Sequence, residues 1–297
     1  MKGNIVTLPV LDRPAWRPEP AWPWPTYGLA HGTGRLAVTD VGSGPTVLFI
    51  HVGAWSFVWR DVFAQLQGNF RCITVDAPGC GLSDRSSASP TIAAAGDAVT
   101  AVIDALGLRD VTMITHDLGG PAGFVAASRR AEAIAALVAV NCFAWKPTGP
   151  LFRGMLATMG STPIRESDAA LGWLPRLTST RFGVGRHWNA ADRATFMAGV
   201  DRSARRAWHG YFRDARRCDD IYTEIDAGIR GPLADRPFLT IFGERNDPLH
   251  FQPQWKSLFP AAQQCTVRRG NHFPMCDDPH LVANSIAAFA SKVVSKL

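Results

Sequence analysis

The chain has 297 residues, of which 46% are hydrophobic and 19% charged, with a formal net charge of +6. That length suits one large α/β domain with an inserted module, and the composition excludes a fibrous or disordered chain. The basic excess is mild. Its arginines (Arg129, Arg130, Arg205, Arg206, Arg216, Arg217) are scattered without interleaved aromatics, so they read as solvated faces and no nucleic-acid partner is expected.

The six cysteines, Cys72, Cys80, Cys142, Cys218, Cys265 and Cys276, form no CxxC pair and have no zinc-like spacing to histidine. Reduced thiols and no bound metal are the expectation. The N-terminus lacks a charged-then-apolar signal pattern, and no apolar run approaches ~20 residues. The sequence therefore predicts a cytoplasmic protein without membrane association.

Residues 9–28 are rich in Pro and Trp, from Pro14 and Trp16 to Trp24 and Pro25. So many prolines predict an extended arm over residues 1–33, laid on the body by its tryptophans. An α/β rhythm follows. Strands are predicted at Arg35–Asp40 and Thr46–His51, the second without alternation, as when both faces are buried. Ser56–Leu66 reads as helix, Arg71–Asp76 as strand, and Thr91–Leu106 as a helix opened by Pro90. Val111–His116 is a strand, Pro121–Arg130 a helix and Ala135–Val140 a strand. From about Phe143 to Leu233 no strand pattern appears, and helical stretches with Pro and Gly breaks fill the interval. Strands resume at Pro237–Phe242 and Gln264–Arg268, and a helix closes the chain around Leu281–Val294. An all-helical segment interrupting an α/β pattern predicts a core of residues 34–142 and 235–297 carrying a helical cap, 143–234.

The most informative stretch is Val111 to Gly120. A run rich in β-branched residues ends at His116-Asp117-Leu118 and is followed by Gly119-Gly120-Pro121, a strand, one sharp turn and a helix. Ser or Cys is usual at such an apex; here it is Asp117. A carboxylate in that place can attack carbon and leave an ester on the enzyme, which points to alkyl transfer from epoxides or alkyl halides. The chain order nucleophile, acid, histidine is completed further on. Thr240 to Pro248 places acids past a late strand, Glu244 and Asp247, and Arg269 to Pro274 places His272 in a loop after the last one. Loops at the carboxyl ends of parallel strands converge on one crevice.

With these motifs the chain resembles the α/β-hydrolase fold superfamily, in its haloalkane dehalogenase and epoxide hydrolase branch. The resemblance rests on His51 with Gly53, Asp76-Ala-Pro78-Gly79-Cys-Gly81-Leu-Ser83-Asp84, His116-Asp117-Leu-Gly119-Gly120, the Gly243 to Asp247 loop and Gly270-Asn-His272-Phe273, all in order through most of the chain. It implies a mostly parallel central sheet flanked by helices. It also implies Asp117 as nucleophile, His272 as general base and Asp247, rather than Glu244, as orienting acid. The oxyanion donors would be the backbone N–H of Leu118 and of Val52 or Gly53. No metal or organic cofactor is needed.

Family dehalogenases carry Trp directly after the nucleophile and an Asn in the early loop. This chain has Leu118, and His51-Val-Gly-Ala-Trp55 without Asn. An epoxide instead needs an O–H donor from the cap. Trp208-His209-Gly-Tyr211 resembles the segment where epoxide hydrolases carry one, so Tyr211 is a candidate ring-opening donor. Trp55, His187, Trp188, Trp208 and His209 are the expected pocket residues for an apolar or aromatic small molecule. The sequence reading thus ranks an epoxide hydrolase first and a haloalkane dehalogenase with an atypical halide site second. A non-hydrolytic enzyme or ligand-binding protein on this scaffold comes third. A monomer or homodimer is expected.

Overall fold

The computed structural model describes residues 8–85 and 90–295. Eight strands, β1 (Tyr27–His31), β2 (Gly34–Val41), β3 (Thr46–Val52), β4 (Arg71–Asp76), β5 (Val111–Asp117), β6 (Ile134–Cys142), β7 (Phe238–Gly243) and β8 (Gln263–Val267), form one sheet in the order β1-β2-β4-β3-β5-β6-β7-β8. The first two pairings, β1 with β2 and β2 with β4, are antiparallel, and all the others are parallel. This is the α/β-hydrolase architecture. The central strands β3, β5 and β6 are buried along almost their whole length, as layers of helix on both faces require.

The flanking helices are α1 (Arg60–Leu66), α2 (Ile92–Ala105) and α3 (Gly119–Arg129). Between β6 and β7 lie α4 (Pro150–Met159), α5 (Thr162–Leu171), α6 (Trp173–Thr178), α7 (Ala190–Ala198), α8 (Arg202–Ala215) and α9 (Asp219–Arg230). The last three are α10 (Phe251–Leu258), α11 (Pro274–Asp277) and α12 (Pro279–Val294).

Three expectations change. The sheet begins inside the segment read as an arm: β1 starts just past Pro25, where the N–H groups needed for ladder pairing return. The rest of the arm lies on the body through its tryptophans, as expected. Trp22 is 1% exposed and packs on Trp24, Trp55, Phe57 and Phe63, with ring centroids 4.8–6.4 Å apart. Thr91, rather than Pro90, opens α2, its side chain accepting a hydrogen bond from Ala94 N–H. Within 143–234, α9 packs on α3, with Arg129 reaching Glu224 from its Nε at 2.7 Å, so this helix closes the core layer rather than covering the crevice.

Candidate functional site

The site gathers at the carboxyl ends of the parallel strands. Asp117 ends β5 with φ 52°, a left-handed conformation that an L-residue adopts only when its surroundings hold it there. The register across β5 and β6 slips at this point, between His116 and Asp117. The helix behind can come close because Gly119 and Gly120 carry no side chain: a Cβ there would collide with the carbonyls of Ile50 and Phe143. The strained turn lifts the Asp117 carboxylate out of the sheet toward His272.

His272 Nε2 faces Asp117 Oδ2 at 3.5 Å, an ion-pair distance rather than a tight hydrogen bond. Burial pushes the Asp117 carboxyl up. The hydrogen bond and charge of His272, the field of His116 and the N–H of Leu118 outweigh it, and the carboxyl ends below its ordinary range. It is therefore ionised at neutral pH, as a nucleophile must be. Val52 stands opposite Asp117 in the β3–β5 register, and Gly53 follows with φ 102°. The backbones expected to serve an oxyanion thus lie at the same end of the sheet as Asp117.

The third partner differs from expectation. His272 Nδ1 lies 3.1 Å from the side-chain amide of Asn246. Asp247 lines the same cavity, but its two oxygens accept the N–H groups of Phe251 (2.6 Å) and Gln252 (2.9 Å) at the start of α10. A carboxylate at a helix N-terminus satisfies orphan donors and meets the positive end of the helix dipole. That local role takes Asp247 away from the imidazole. An amide offers both a donor and an acceptor, so by rotation about its last bond Asn246 can accept Nδ1–H and leave the Nε2 lone pair toward Asp117.

Asn141 is the other residue missed from sequence. It sits at the end of β6 with φ 37°. Its Nδ2 donates to the carbonyls of Asn271 (2.8 Å) and His272 (3.0 Å), and its Oδ1 accepts from Gly243 N–H (2.9 Å). One side chain thereby ties β6, β7 and the histidine loop together. The available signal was a lone polar residue in the otherwise apolar run Ile134–Cys142.

The cavity over Asp117 has a volume of about 170 Å³. Its polar lining is Asp117, Asn141, Asn246, Asp247 and His272. Its apolar lining includes Phe143, Phe152, Met155, Phe242, Leu249 and Phe251. Phe143, Phe152 and Phe251 pack mutually, with centroids 4.8–5.7 Å apart.

None of the expected cap residues is in this lining. Tyr211 is fully buried and donates its hydroxyl to Pro78 O at 2.8 Å, a structural bond between cap and core. His209 is buried between Met159 O and Asp168, 3.0 Å from the latter. His187 Nε2 meets Asp277 O, and its ring faces a separate open cleft with Arg60 and His280. Trp188 donates to Asp61, and Trp55 to Phe196 O. Trp208 is the nearest to the expectation. Its indole packs on Gly53 so closely that a Cβ there would strike it, and its buried Nε1 has no hydrogen-bond partner among the described residues. These side chains failed to converge because Tyr211, His209, His187, Trp188 and Trp55 each turn a polar atom toward a neighbouring helix or loop.

Residues 47–285 match the alpha/beta hydrolase family. The chain is 32% identical to a cis-3-alkyl-4-alkyloxetan-2-one decarboxylase from Shewanella oneidensis, over 91% of this chain and 89% of that one. It is 25% identical to haloalkane dehalogenase 2 of Mycobacterium tuberculosis, over 91% and 96%. Its fold matches a haloalkane dehalogenase from Bradyrhizobium elkani with a TM-score of 0.78 at 18% identity, covering 92% of this chain and 99% of that one. An epoxide hydrolase is as close in fold, with a TM-score of 0.77 at 18% identity over 90% and 99%. No helix among the described residues is long and apolar enough to cross a membrane. The chain belongs to the alpha/beta hydrolase family, and its relatives and structural neighbours place it with the haloalkane dehalogenase and epoxide hydrolase branch.

Proposed function

We propose that Asp117 displaces halide from a short, apolar alkyl halide, forming an alkyl ester that water activated by His272 then hydrolyses. The observation that carries this reading is the cavity itself: a small phenyl-lined space on an ionised carboxylate, with no tyrosine among its lining residues. An epoxide opens to an alkoxide that needs a proton from an acidic O–H. Tyr211 and Tyr222 give their hydroxyls to Pro78 O and Ala215 O instead. A halide leaves as a stable anion and needs only N–H donors in dry surroundings. The Leu118 N–H meets the Asp117 carboxylate, and the buried Trp208 N–H beside Gly53, outside the cavity lining, has no hydrogen-bond partner among the described residues. The ranking of epoxide over halide is therefore reversed. The test is a panel of short bromoalkanes and terminal epoxides. Bromide release without diol is expected; diol from epoxides without bromide release would restore the opposite ranking.

A second reading is favoured by Asn246, because a neutral amide does little to strengthen His272 as a base for ester hydrolysis. A strained β-lactone would not need that step. Asp117 would attack the ring carbon bearing oxygen, and the C–O bond would break with its electron pair leaving as carboxylate. Loss of CO₂ would then place the C–C electrons in an alkene and expel Asp117. The decarboxylase relative carries such a substrate in its name. A cavity of about 170 Å³ argues against long alkyl arms and keeps this reading second. Turnover in heavy-oxygen water separates the two, since hydrolysis labels the Asp117 carboxylate and elimination leaves it unlabelled.

A further inference from the structure

We propose that His116 and His51 act as positioning residues for His272, through a buried relay of imidazoles that ends on the backbone of the base. The inference rests on the role of His272 just described. Its observations are three hydrogen bonds in series. Ala54 N–H donates to His51 Nε2 at 3.2 Å. His51 Nδ1 and His116 Nδ1 lie 2.9 Å apart. His116 Nε2 lies 2.8 Å from the carbonyl of His272.

The order of donors follows from the ends. Since Nε2 of His51 accepts a backbone N–H, its proton sits on Nδ1 and points at His116 Nδ1. That nitrogen must accept, so the His116 proton sits on Nε2 and is donated to the His272 carbonyl. Every polar atom is satisfied only if both rings are neutral and carry opposite tautomers. Protonating either ring would set two N–H groups against each other. Burial, with the charge of His272 added, holds both rings below the usual histidine range, His51 down to about 3. The slot is closely packed. His116 is fully buried, its ring lies edge to edge with that of His51 at a centroid distance of 5.0 Å and meets Phe273 at 4.9 Å, and Trp59 closes an edge at 6.1 Å.

The relay joins three loops: the early loop that carries Gly53 and Ala54, the elbow, and the base loop. The His272 carbonyl accepts from two sides, His116 Nε2 and Asn141 Nδ2. The imidazole of His272, by contrast, is held by one amide at 3.1 Å and faces Asp117 at 3.5 Å. The backbone anchor is therefore what sets the position of the base over the nucleophile. A misplacement on the order of 1 Å there costs about 100-fold in rate.

The test uses the whole protein labelled with nitrogen-15 histidine. At neutral pH the spectrum is expected to contain two neutral buried imidazoles, one with its proton on Nδ1 and one on Nε2, the second lost in H116Q. In H116F, which keeps the ring volume but neither accepts from His51 nor donates to His272, the His272 ring resonances should move. In H116Q, whose amide can do both, they should return close to their native positions. With a bromoalkane that alkylates Asp117, H116F should lengthen the life of the ester about 10- to 100-fold while the alkylation rate changes little, and H116Q should restore turnover. The proposal is overturned if the two buried rings carry the same tautomer, or if His272 resonances ignore H116F. It is also overturned if alkylation and hydrolysis fall together, as loss of folded protein would make them do. Failure of the native enzyme to form any ester would refute the functional reading alone, because the tautomers and the His272 resonances still decide the relay.

Discussion

Replacing Asn246 with Asp puts a carboxylate where His272 Nδ1 now meets an amide at 3.1 Å. The change is nearly isosteric, so its effect is electrostatic. When His272 takes a proton from water, positive charge appears on the ring about 4 Å from that carboxylate. At an effective dielectric of ~20 the pair would be worth about 4 kcal/mol. The His272 side chain is 34% exposed and Asn246 is half-buried, so screening and partial hydration reduce this. A hydrogen bond to a charged group, about 1.5–3 kcal/mol, is the better measure. N246D should therefore speed hydrolysis of the alkyl-Asp117 ester by about 10- to 100-fold.

The step is isolated by mixing enzyme with excess bromoalkane, quenching on the millisecond-to-minute scale and following the Asp117 peptide by mass. The ester should form at nearly the native rate and decay faster in N246D. An ester lifetime unchanged in N246D would refute the reasoning, because Asn246 would then not be the group that orients the base. A slower alkylation with unchanged decay would refute it in another way, since the new charge would be acting on Asp117 and not on His272.

Asp247→Ala should cost about 1–2 kcal/mol of stability through the lost cap on α10, read as a lower urea midpoint, with turnover per folded molecule little changed; a thousand-fold loss of turnover would reinstate Asp247 as the orienting acid. Tyr211→Phe removes the partner of the half-buried Pro78 carbonyl and should destabilise by about 1 kcal/mol, and activity on any epoxide that is turned over should persist, whereas its abolition would place the phenol at the reacting oxygen. Stability should also fall in acid. His51 and His116 titrate near 6.5 when unfolded and well below that when folded, so between those limits the unfolded chain binds more protons. Their joint contribution is fully present above about pH 6.5 and is lost by up to roughly 2.7 kcal/mol per pH unit as pH drops toward the folded values. A urea midpoint equal at pH 7 and pH 5 would contradict buried neutral rings.

What the sequence could reveal depended on whether a residue's role was set by its own element or by its neighbours. Asp117 is legible because a strand, one apex residue and two glycines specify the turn locally, and His272 because its loop follows the last strand. The choice between Asn246 and Asp247 is of a different kind. They are adjacent, equally polar and equally placed past β7, and only one can turn inward. The decision falls to α10, which begins at Phe251 after His250 in a left-handed conformation. Its free N–H groups capture the nearest carboxylate, Asp247, and the amide of Asn246 is left for the imidazole. No helix was read at Phe251–Leu258, so the competitor for Asp247 was invisible. The cap residues fail for a related reason. Aromatic content marks α8 as amphipathic, but which face meets the crevice depends on how it packs on α4 and α5, and His209 turns to Asp168 and Tyr211 to Pro78 instead. The same logic explains why the structural roles of the site's buried fixtures were not legible. His51, His116 and Asn141 lie in three different strands or loops, their polar atoms meet only after the sheet registers are set, and each by itself reads as one polar residue at the end of an apolar run. Their partners are dictated by the accounting of buried donors and acceptors, and that accounting closes only when the sheet has formed.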